Sequence, residues 1–164
     1  MTKARAKILI SSCLLGHKVR YDGGDKYMTS PLLEKWQAED RLVPVCPEMI
    51  GGLPAPRPAA EIRTGDGEDV LREQARIFDA QGTDHTEAFI RGAERALTLA
   101  RENGCQYAIL TEYSPSCGSA QIYNGQFDGT RRQGKGVTAA LLEQHGIQVY
   151  SSENFQDLQK ELDI

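Results

Sequence analysis

The chain has 164 residues, 40% of them hydrophobic and 26% charged, with a formal net charge of −4. That length suits one domain spanning 1–164 with a real core, and the acidic balance gives no broad basic surface for polymeric nucleic acid. No apolar run is long enough to span a bilayer, and the start, "MTKARAKILISSC", lacks the form of a signal peptide.

In chain order, "KILISS" (Lys7 to Ser12) reads as a buried strand. "SPLLEKWQAED" reads as a short helix with Ser30 as N-cap and Pro31 at its first position. "LVPVC", Leu42 to Cys46, is a second strand. Residues Pro47 to Pro58 carry four prolines and two glycines, and are expected to form a long loop. From Ala59 to Gly82 the pattern is mixed; we expect a loop with a short helix or extended edge segments. Phe89, Ala93, Ala96, Leu97 and Ala100 then share a helical face, stopped by Gly104. "CQYAIL" is a strand, "GVTAALLEQHG" a helix, "IQVYS" a strand and "SENFQDLQKEL" a last helix capped by Ser151 or Ser152. Arg131 and Arg132 read as a solvated loop.

This alternation predicts an α/β, Rossmann-like domain: a mostly parallel sheet flanked by helices. Parallel neighbours need crossovers, usually helical, and ligands bind beyond the carboxyl ends of the strands.

Cys13, Cys46 and Cys117 all fall at or just past such ends. Cys105 begins its strand and belongs at the opposite edge, as a small buried hydrophobe. Three converging thiolates suit a soft metal or an iron–sulfur cluster. Their spacing is no short metal motif, so three ordinary buried thiols remain open on the residues alone, as do a zinc or thiol enzyme and a metal or sulfur carrier. Without a signal peptide the cysteines read as thiols in the reducing cytoplasm. "GKG" at Gly134 to Gly136 has the look of a phosphate-binding turn without full P-loop spacing. Arg20, Lys26 and Arg57 are surface cations with the chemistry to meet a phosphate. His17 follows Gly16 near the first cysteine.

Four ordered stretches, "SSCLLGHKVRYDGGDK", "VPVCPEMIGGLPAPRPAAEI", "SPSCGSAQIYNGQFDGT" and "GKGVTAALLEQHGIQVYSSENF", resemble the TudS-like thiouracil desulfurases, the family of domain of unknown function 523. The resemblance runs from about Ile8 to the last helix. It implies a 4Fe–4S cluster held by three cysteines, matching Cys13, Cys46 and Cys117, with one iron open to the substrate's sulfur. It implies a non-redox reaction in which a thiocarbonyl on a small-molecule pyrimidine becomes a carbonyl and sulfide leaves. Glu48, in "CPEM", matches the family's catalytic acid/base, and Ser114 its catalytic serine. The chemistry suits these residues: water must add to a ring carbon and a ring nitrogen must gain a proton. Ser12, Ser116, Gly118 and Ser119 are candidate substrate contacts, the last two through backbone N–H groups. One departure is visible: Leu110-Thr111 stands where the family pattern has Leu-Lys.

Overall fold

The structure is a computed structural model describing residues 6–17, 22–24 and 27–162. Four strands form a parallel sheet: β1 (Lys7–Ser11), β2 (Leu42–Val45), β5 (Cys105–Leu110) and β8 (Gln148–Ser151), in the order β2-β1-β5-β8. Ile8, Leu9 and Ile10 of β1 are fully buried, because this central strand is covered on both faces. Leu9 packs toward α4 (Thr86–Glu102) and α5 (Val137–Gln144) with Ala96, Ala100, Ala139 and Leu142. Ile8 and Ile10 point the other way, among Leu33 and Trp36 of α1 (Pro31–Ala38) and Phe155 and Leu158. The alternation follows the two-residue period of a strand. The α/β fold with helices on both faces is as expected.

Local signals account for several ends. Ser30 Oγ accepts from the Leu33 amide, and Pro31 opens α1. Gly104 takes a φ of 67° after α4, the left-handed turn that lets β5 start.

The remaining elements correct the sequence reading in three places. The segment after Cys46 is not wholly a loop: α2 (Pro47–Ile50) is one helical turn, with Pro47 at its start, where the missing N–H costs nothing. Arg131 and Arg132 are not in a loop: β7 (Arg131–Gln133) pairs antiparallel with β6 (Gln121–Tyr123). The last helix is broken, a 3₁₀ turn at Phe155–Leu158 leading into the short α6 (Gln159–Leu162). There Asn154 Oδ1 accepts from the Ser151 amide and Ser151 Oγ from the Glu153 amide, so side chains hold the segment in a turn first. The mixed region resolves as an antiparallel pair, β3 (Ala60–Ile62) with β4 (Ile77–Asp79), linked by the short α3 (Gly67–Leu71). These elements form their own core with Phe89, Ile122 and Val137.

Candidate functional site

Ser11 pairs in register with Val45, and Leu110 with Ser151, so these strands finish along one edge. Cys13 lies in the 3₁₀ turn Ser12–Leu15 that follows β1. Cys46 is the N-cap of α2. Cys117 lies in the loop after β5. All three line a cavity of about 470 Å³, together with Glu48, Arg57, Ser114 and Phe127. That volume lies in the usual range for small-molecule sites. Cys105 pairs with Lys7 at the other end of the sheet. Burial pushes its thiol up to about 11.

All four cysteines are thiols rather than disulfides. Burial pushes the Cys117 thiol far above its ordinary value, and the negative fields of Glu48, Cys46 and Cys13 push it further, against a hydrogen bond from Ser11. Cys46 is raised too, first by burial, although the Met49 and Glu48 amides donate toward its sulfur. Thiols whose protons burial holds on, as at Cys117 and Cys46, are poor anions unless a cationic group draws those protons off. The donor set therefore fits a soft metal centre. Among the described residues no three His, Cys, Asp or Glu side chains are gathered as ligands of a single ion. The cysteines ring a cavity instead, which suits a bulkier group.

Two glycine contacts seat the cysteine-bearing turns. Gly92 of α4 touches the Pro47 carbonyl, and Gly51 the Ala88 carbonyl, with no room for a Cβ at either position. They press α2, and with it Cys46 and Glu48, against α4. Gly136 similarly touches the backbone of Ser116 and Cys117. Its amide donates to Gly118 O at 2.8 Å, Val137 N to Pro115 O at 2.8 Å and Thr138 N to Ser116 O at 2.8 Å. The first amides of α5 are thus committed to the carbonyls of the cysteine loop. This corrects the phosphate reading of "GKG": its amides hold protein rather than an anion.

Glu48 and Arg57 form an ion pair inside the cavity, their side chains 14% and 6% exposed. Arg57 Nε donates to Glu48 Oε2 at 2.8 Å, and Nη2 reaches the same oxygen. Arg57 is therefore committed to a carboxylate rather than standing as a surface phosphate contact. Ser114 Oγ accepts from the amides of Ser116 (3.0 Å) and Cys117 (2.8 Å), which folds the loop back on itself. Ser12 also lines the cavity.

Three sequence candidates for substrate contact stand elsewhere. Ser116 is buried, its hydroxyl 2.7 Å from Thr138 Oγ1. The Gly118 amide donates to Ser114 O at 3.0 Å. The Ser119 amide and hydroxyl donate to Glu112 at 2.7 and 3.0 Å. None of the three lines the cavity. Their hydrogen bonds build the loop: the Gly118 amide and both Ser119 donors have internal acceptors, and the Ser116 hydroxyl pairs with Thr138. Arg20 and Lys26 lie outside the described residues. His17 borders a shallow groove on the outer side of Cys46, with Met49 and Leu99.

Sequence reasoning missed Ser11, Glu61 and Glu112, which all line the cavity. Ser11 Oγ accepts from the Thr111 amide at 3.0 Å and donates to Cys117 Sγ at 3.7 Å. The buried Glu112 carboxylate accepts from Ser119, Ala120 and Gln121 amides, closing the loop that carries Ser114 and Cys117. Both Ser11 and Glu112 sit at strand ends, the same signal that found the cysteines.

The model of the 2-thiouracil desulfurase family matches residues 8–154. The chain belongs to the 2-thiouracil desulfurase family. The match spans β1 through the turn after β8 and includes every cavity cysteine. Within and around this family, the chain is 46% identical over 151 residues to the uncharacterized protein YbbK of Bacillus subtilis (strain 168), covering 92% of this chain and 99% of that one. A solved [4Fe-4S]-dependent thiouracil desulfidase, TudS, superposes with a TM-score of 0.88 at 46% identity, covering 97% of this chain and 99% of that one. No helix among the described residues is long and apolar enough to cross a membrane.

Proposed function

We propose that this protein is a [4Fe–4S]-dependent thiouracil desulfidase. It hydrolyses the thiocarbonyl of a small thiolated pyrimidine to a carbonyl and releases sulfide. The observation that carries the reading is the grouping of Cys13, Cys46, Cys117 and Glu48 around one cavity, in a chain of this family. Thiocarbonyl and water become carbonyl and hydrogen sulfide, so no electrons are needed, only protons moved in the right order.

Cys13, Cys46 and Cys117 hold the cluster, each as a thiolate. When bound, the cluster supplies a Lewis-acidic iron for the substrate's sulfur. Glu48 is the general base and acid. It takes a proton from the water that adds to the ring carbon, and any proton it lends the ring nitrogen is given back as the carbonyl forms, so that the water's two protons end on the departing sulfide. Arg57 orients its carboxylate through Oε2. Ser114 uses its oxygen on the loop amides, and its O–H hydrogen is left to donate to the substrate. Ser12 is the remaining sequence candidate for a substrate contact on the wall. The concave, partly acidic cavity, of small-molecule volume, suits a small molecule rather than a polymer, and four thiols suit the reducing cytoplasm.

The test is anaerobic reconstitution with iron and sulfide, then assay of sulfide release from thiouracil. Brown protein with turnover is expected. Protein that binds zinc and stays colourless, or that holds iron without turnover, overturns the reading.

A further inference from the structure

The run "NGQFDGT" closes the hairpin β6–β7, and its Phe127 and Gly129 line the cavity. Among the described residues three large apolar side chains are exposed, Tyr27, Met49 and Phe127; of these Phe127, 38% exposed, lines the cavity of the cysteines. Its φ is 57°, the left-handed region that a bulky residue avoids. Such a conformation persists where surroundings impose it. Here they do. Glu61, buried on the cavity wall, accepts from the Phe127 amide at 3.2 Å and the Gly125 amide at 2.9 Å. Asn124 and Asp128 tie down the flanks through the Gln126 and Thr130 amides, each at 2.9 Å. A buried carboxylate thus fixes a strained loop tip, and the result is an aromatic ring left partly bare beside the site.

We infer that Phe127 is a substrate-binding residue, whose ring stacks on the flat face of the heterocycle held in the cavity. The inference rests on the desulfidase reading for its substrate. A planar, neutral, unsaturated ring offers few charges to grip, and its π face is what an aromatic side chain recognises. The stacking is as strong before reaction as during it, so it serves binding rather than chemistry.

The test compares Phe127→Ala, Phe127→Leu and Phe127→Tyr in the cluster-loaded protein. Phe127→Ala should keep its iron content and kcat and raise KM for thiouracil by about 5- to 150-fold, the usual worth of one base–aromatic stack. The Kd for uracil, the unreactive oxo product, should weaken by a similar factor. Phe127→Tyr should restore both, and Phe127→Leu should not. Unchanged KM and Kd in Phe127→Ala overturns the inference and leaves the desulfidase reading intact. Full function in Phe127→Leu also overturns it, since apolar cover without a π face would then suffice. No sulfide release by the wild-type holoprotein overturns the desulfidase reading, and the uracil titration then still decides Phe127: equal binding by wild type and Phe127→Ala sinks the inference.

Discussion

Arg57 grips Glu48 on one carboxylate oxygen: both Nε, at 2.8 Å, and Nη2 fall on Oε2. Oε1 takes neither bond. In the proposed reaction Arg57 anchors the carboxylate through Oε2 and Oε1 moves the protons. Glu48→Gln keeps the size and removes the titratable proton. It should retain the brown cluster and lose about 100- to 10,000-fold in turnover, mainly in kcat. Arg57→Lys should cause a smaller loss, because an ammonium lacks the guanidinium's planar fork. A colourless Glu48→Gln protein would make Glu48 a ligand of the cluster and overturn the assignment.

Ser114 has a structural role beside its proposed catalytic one. Its oxygen receives two loop amides, one of them from the ligand candidate Cys117. Ser114→Ala leaves both amides without that acceptor, at about 0.5–1.5 kcal/mol for a typical bond. The variant should therefore lose turnover and also hold its cluster less firmly, seen as faster bleaching on exposure to air. Bleaching at the wild-type rate would confine Ser114 to chemistry.

The cysteines separate by strand end. Cys13→Ala, Cys46→Ala and Cys117→Ala should each fail to retain iron after reconstitution, whereas Cys105→Ala should retain it. Cys105 has its own signature in the cluster-free protein. Burial raises its thiol from about 9 to about 11. Above 9 the unfolded chain gives up this proton while the folded chain keeps it, so folding stability falls as pH rises. The contribution is intact below 9 and lost progressively toward 11. Melting curves of wild type should show a decline across that window that is shallower in Cys105→Ala.

Gly92 tests how Cys46 and Glu48 are seated. A methyl group there meets the Pro47 carbonyl, which is backbone and cannot swing aside. Gly92→Ala should push α2 off α4, destabilise the fold by about 1–3 kcal/mol and lower iron content, although residue 92 touches neither cysteine nor substrate. Normal melting and iron content would mean that α2 shifts without cost.

The sequence by itself determined the parallel strands, most of the helices and the placing of three cysteines at strand ends. Buried strands and amphipathic helices write their period into the chain locally. Parallel strands end on one edge, and the order β2-β1-β5, which the structure decided, made the thiols at those ends neighbours. Glu48 and Ser114, the proposed catalytic residues, came from motifs of the same stretches. Tertiary structure alone decided who satisfies whom. Ser116, Gly118 and Ser119 looked like donors to a substrate until Thr138, Ser114 and Glu112 were found to accept from them or, for Thr138, to share the bond. Arg57 looked like a surface cation until it met Glu48, and Phe127 had no local signal placing it beside the cysteines. A polar group's role is set by its partner, and those that gave the two arginines of β7 a strand and Phe127 a cavity wall, Gln121–Tyr123 and Glu61, act across turns and long chain separations. Hydrophobic periodicity reports burial, not partnership, and so could not reveal them.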